Sequence, residues 1–120
     1  MSAYDRAHEL ARDLSRTEEY RNYVESKTKL EQDQKNVEML EQFRHQQWEV
    51  QMAQVAGQEV DEAKVQQLEK LYQVLSLNPI INEFLNAEYR FARLMADIQK
   101  ILADAVPAWF DFGGRRELIN

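Results

Sequence analysis

From Asn78 to Pro107 the chain carries one apolar stripe too wide for a helix with a single neighbour. Asn78 is a good N-cap residue, and Pro79 follows at the first helical position, where a missing N–H leaves nothing unpaired. Ile80, Phe84, Ala87, Phe91, Leu94, Ile98, Ile101 and Ala105 then recur at steps of four and three. That spacing is one face of a helix. Leu85, Met95 and Leu102 widen the face, and Pro107 stops it. A stripe of this width predicts a helix inside a bundle, not a lone coiled-coil seam.

Elsewhere, too, helix breakers are scarce. The 120 residues include only three Gly and two Pro, and Glu, Gln, Lys, Leu and Ala are abundant. An all-α helical bundle is expected, with two long helices and two shorter ones. The length suits one small domain, residues 1–106, followed by a tail, residues 107–120. There is no cysteine. Disulfides, zinc thiolate sites and iron–sulfur clusters held by the chain's own thiolates are therefore excluded. The stretch MSAYDRAHEL is too charged for a signal peptide, and no apolar run approaches membrane-spanning length. A cytoplasmic location with no membrane contact is expected. A net charge of −6 opposes phosphate backbones, so no direct nucleic-acid binding is expected.

Taken in order, the chain first shows Ala3, Ala7, Leu10, Ala11 and Leu14 on one face of a short helix. Thr17 can cap the next helix, with Glu18 and Glu19 near the positive end of its dipole. Without Gly or Pro to stop it, that helix is expected to run from Glu18 to Ala56, a rod of roughly 58 Å. Its middle, Glu25 to Asn36, is nearly all polar and reads as solvated. Glu25 with Lys29, and Glu31 with Lys35, are expected ion pairs within it. Gly57 is placed to end the rod in a left-handed conformation. Asp61 can cap a third helix to about Ser76, which leads into the helix after Asn78.

A repeat runs through this order at a constant offset. Leu10, Leu14, Ser15 and Thr17 fall on Leu71, Leu75, Ser76 and Asn78. Tyr20, Tyr23, Val24, Ser26, Leu30, Val37 and Leu40 fall on Ile81, Phe84, Leu85, Ala87, Phe91, Ile98 and Ile101. Each half is a shorter helix, a capped break and a longer helix, and the halves are expected to pack with approximate symmetry.

Chemistry-bearing patterns are few. Glu41, His45 and Glu49 make a row on one helix face, but the Glu-x-x-His pair of di-iron bundles is missing. Gly113-Gly114 precedes no helix at phosphate-loop spacing. No serine, histidine and carboxylate arrangement marks a nucleophile. The expectation is a protein with no enzymatic activity, no metal site and no cofactor. A metal-dependent enzyme built on Glu41, His45 and Glu49 is a distant alternative.

Two features ask for a partner. Glutamines surround Arg44, Trp48 and Met52, and Trp is enriched at interface centres. Phe43, Gln47, Trp48, Met52 and Val55 are the candidate surface for self-association or for an unidentified protein partner. The helix after Asn78 would span only about 40 Å, so it would leave the rod's apolar second half uncovered. A two-fold homodimer would pair that surface with itself. Trp109, Phe110 and Phe112 form a second candidate, an aromatic docking tail.

Several stretches taken together resemble the YlbF/YmcA family of small helical bacterial proteins, its YheA-like branch in particular. They are Leu10-x3-Leu14-Ser15-x-Thr17-Glu18-Glu19-Tyr20, Met39-Leu40-Glu41-x-Phe43-Arg44-x2-Gln47, Ala56-Gly57-Gln58-Glu59-Val60, and Asn78 with Leu85, Glu88 and Phe91. The likeness reaches to about Val106 and does not include the aromatic tail. It implies an all-helical fold, self-association and a cytoplasmic adaptor role. Better-known relatives act in a complex that supports developmental regulation in Gram-positive bacteria and is linked to RNA processing by a membrane-bound ribonuclease. An accessory role beside a nuclease or RNA is therefore the alternative function. Some relatives hold iron–sulfur clusters through cysteines, which this chain lacks.

Overall fold

The computed structural model describes residues 2–111. The helices are α1 (Ala3–Ser15), α2 (Glu18–Glu31), α3 (Gln34–Val55), α4 (Glu62–Leu77), α5 (Pro79–Ala105) and a single turn, α6 (Pro107–Trp109). No strand occurs among the described residues, so the all-α expectation holds.

Local chemistry explains most of the boundaries. The Ser2 hydroxyl accepts from the Asp5 N–H, and the Asp5 carboxylate accepts from the Ser2 N–H, a reciprocal capping box. Thr17 Oγ1 accepts from the Tyr20 N–H and starts α2. Gly57 has φ 72°, a left-handed conformation that L side chains adopt only with strain, and it closes α3. Asp61 caps α4 through the Ala63 N–H. The Asn78 Oδ1 accepts from the N–H groups of Ile80 and Ile81 and opens α5 as expected.

The expected long rod is two helices. The chain breaks at Gln32-Asp33, where Asp33 takes an extended conformation and caps α3 through the Lys35 N–H. The break separates Glu31 from Lys35, so their expected pairing does not form. Lys29 pairs with Glu83 on α5 at 3.5 Å, not with Glu25. The stretch expected to be solvated contributes Ser26, Leu30 and Asn36 to the interior. The rod-length argument for a dimer falls with it. The two helices have 14 and 22 residues, roughly 21 and 33 Å.

Helices α2 and α5 run antiparallel at the centre. Tyr20 lies against Phe91, with ring centroids 5.3 Å apart. Tyr23 sits between Phe84 and Phe91 at 5.7 and 5.8 Å. The repeat makes sense of this pairing. Tyr23 and Phe84 are equivalent positions in the two halves, so their contact marks a local two-fold axis. Exchanging the halves turns the Tyr20–Phe91 pair into Leu30 and Ile81, both of which are in the core.

After the break, α3 folds back along α4, also antiparallel. Phe43 and Tyr72 are 5.8 Å apart, and Lys64 lies 4.0 Å from Glu49. Leu30, Leu40, Phe43, Leu75, Ile81 and Phe84 form the core where α2, α3, α4 and α5 meet. Leu75 and Ile81 are wholly buried. Asn78 joins this junction, because its Nδ2 donates to the buried Asn36 Oδ1 at 2.8 Å. The result is a slab of 54 × 38 × 16 Å. Every helix nonetheless keeps an uncovered face.

Candidate interaction surface

Helix α3 divides its apolar residues between two sides. Leu40 and Phe43 point into the core, with Val50 half-buried behind them. Trp48, Met52 and Val55 repeat at steps of four and three along another face. Trp48 is 56% exposed and Val55 80%, and Met52 and Gln47 are exposed as well. The structure thus brings four of the five candidate surface residues outward. Phe43 is the correction: at 8% exposure it packs on Tyr72 and is no part of a free surface. The reason is that α4 covers that side of α3, which helical spacing alone could not tell.

Polar contacts frame the stripe. Arg44 Nη2 donates to both carboxylate oxygens of Glu88 on α5, at 2.5 and 2.7 Å. Its guanidinium carbon lies 5.8 Å from the Phe84 ring centroid. The Arg44 side chain is thereby held, which steadies the helix turn that carries Trp48. On the opposite flank, His45 Nε2 lies 2.8 Å from a Glu49 carboxylate oxygen. An open cleft of about 330 Å³ runs between α3 and α4, lined by Gln42, His45, Gln46, Glu49, Lys64 and Gln67. The Gln46 Oε1 is buried there without a hydrogen-bond donor. Glu41 takes no part in the His45–Glu49 contact. No group of three His, Cys, Asp or Glu side chains is placed to hold a metal among the described residues.

The aromatic tail is only partly in view. Pro107–Trp109 forms a helical turn; Trp109 is exposed and Phe110 half-buried. Phe112 lies outside the described residues. Arg90 borders a cleft with Glu18 and Glu19, and Lys100 pairs with Asp104 at 3.4 Å.

Two exposed apolar surfaces were not singled out from the sequence. Helix α1 buries none of its residues. The last third of α5 exposes Ile101, Leu102 and, just beyond it, Val106. The signal for both was the internal repeat, which aligns these segments with α4 and α3.

Comparison with known proteins settles the family. A family model described as control of competence regulator ComK, YlbF/YmcA, matches residues 3–107. The chain belongs to the YlbF/YmcA family. Curated relatives of this YlbF/YmcA chain include the UPF0342 protein of Desulfitobacterium hafniense, 38% identical over 106 residues, covering 88% of this chain and 86% of that one. The UPF0342 protein of Caldicellulosiruptor bescii is 40% identical over 105 residues, 88% of each chain. That of Clostridium tetani is 33% identical over 116 residues, covering 97% of this chain and 100% of its own. Among solved structures, a protein of unknown function (DUF964) from Bacillus stearothermophilus superposes with a TM-score of 0.72 at 15% identity, covering 88% of this chain and 93% of that one. At that identity the likeness shows the YlbF/YmcA chain's fold alone. The family description is a regulatory one. No helix among the described residues is long and apolar enough to cross a membrane.

Proposed function

We propose that the protein is a non-enzymatic, self-associating adaptor or regulator of a bacterial cytoplasm. The observation that carries this reading is the thin slab with apolar side chains on its outside. Trp48, Met52 and Val55 on α3, and Ile101 and Leu102 on α5, are all exposed. Contiguous exposed apolar residues mark contact surfaces in soluble proteins, because each one left in water forfeits roughly 25 cal/mol per Å² of burial. An adaptor needs one contact for its own copies and one for another protein. The α3 stripe, with a Trp at its centre and a fixed Arg44 beside it, has the composition of such a contact. The regulatory description of the family supports the same reading.

Light scattering at micromolar concentration tests it. A mass at least twice the 14.2 kDa of one chain is expected. A mass of one chain throughout would refute self-association. RNA binding that weakens steeply with salt would favour the accessory role beside a nuclease instead.

A further inference from the structure

The α3–α4 hairpin is held at its root and loose at its tip. At the root, Leu40 and Phe43 of α3 and Leu75 of α4 lie in the core. Phe43 packs on Tyr72, and Arg44 is tied to Glu88 of α5. Leu68 and Leu71 still lean on that core from outside. Beyond them the support stops. No residue between Arg44 and Val74 is buried. The apolar side chains packed on the core include none from His45 to Gln67. The tip buries its own residues only in part, with Gln46, Glu49, Val50 and Ala53 half-buried on α3 and Val65 on α4.

Three features weaken the fit of the two helices there. The open cleft of about 330 Å³ between them is lined by polar side chains, not by packed apolar ones. Gln46 Oε1 is buried and accepts no hydrogen bond, which penalises the closed form. The ion pair across the tip, Lys64 with Glu49, stands at 4.0 Å with both side chains in water, and such pairs contribute little. Parted from each other, these outer turns are helix ends without cover, and most helical stability in proteins comes from packing. Segments with sparse burial open at the least cost within a fold. We infer that residues 45–67 open and close as a unit of their own while the rest of the fold stays intact, and that this opening gates the α3 stripe. Trp48, Met52 and Val55 all lie within the unit, and they share a face only while α3 is helical there. A partner docking on the stripe must hold the tip closed, so its apparent affinity scales with the closed fraction. The gating rests on the α3 contact proposed above; the opening does not.

Hydrogen exchange of the full chain, at submicromolar concentration and read by mass spectrometry in low urea, tests this. Peptides within residues 45–67 are expected to exchange roughly a hundredfold faster than those covering Leu40, Leu75 and Ile81, at rates nearly independent of urea, as local opening requires. Gln46→Leu replaces the unpaired oxygen with an apolar side chain of similar size. It is expected to slow exchange in the tip by about fivefold and to leave the core peptides unchanged. Tip peptides with the same protection and urea dependence as the core would overturn the inference. A fast tip that Gln46→Leu does not slow would overturn the cause assigned to it. Light scattering reads self-association separately, so a monomeric wild type with a fast tip would refute that reading and support this one.

Discussion

Asn78 ties two helices together with one side chain, and its removal is the most informative single change in the fold. Its Oδ1 accepts from Ile80 and Ile81, and its Nδ2 donates to Asn36 on α3. The two N–H donors fix the orientation of the amide. Asn78→Ala removes the α5 cap, a loss of about 0.5–2 kcal/mol. It also leaves Asn36 Oδ1 without its donor at a site only 5% exposed, which costs about 1–3 kcal/mol. Together these give about 1.5–5 kcal/mol, a large share of the roughly 5–15 kcal/mol a domain of this size has. The equivalent change in the first half, Thr17→Ala, removes the cap to Tyr20 and the hydroxyl's bond to the Leu14 carbonyl, which keeps the Thr17 N–H as a donor, so about 1 kcal/mol is expected. Urea unfolding followed by far-UV circular dichroism, at one fixed protein concentration, measures both. Pairing Asn78→Ala with Asn36→Ala completes a double-mutant cycle, with a coupling of about 1 kcal/mol or more expected. An Asn78→Ala protein no less stable than Thr17→Ala, with an additive cycle, would refute this account of the α3–α5 link.

Two further substitutions test the packing. Leu75→Ala, at 0% exposure, should cost about 2–5 kcal/mol in the same urea assay. Gly57→Ala should cost about 1 kcal/mol through backbone strain, since open space surrounds the added carbon. Gly57→Asn should recover part of that loss, and melting temperatures would rank the three proteins.

Boundaries set by local chemistry could be read from the sequence, and boundaries set by packing could not. Thr17, Gly57, Asp61 and Asn78 each act within a few residues of themselves, so residue type and spacing sufficed. The break at Asp33 is a different case. Good helix formers flank it, and nothing there forbids a continuous helix. The chain turns because α4 offers Leu75 as cover for Leu40, and because Asn78 reaches Asn36. Those gains come from residues forty positions away. The interaction surface was half legible for the same reason. Trp48, Met52 and Val55 stood out as apolar residues among glutamines. Phe43 looked alike by spacing, and only the position of α4 separates it from them. The repeat was visible as a pattern of matched caps.

The central claim is that this chain does not work alone. Sedimentation equilibrium of the wild-type protein across the micromolar range tests it most directly. The account predicts a reversible two-chain species of roughly twice 14.2 kDa that dissociates on dilution, its mass unaffected by moderate salt because the buried stripes are apolar. A single-chain mass at every concentration, with native helicity, would contradict it.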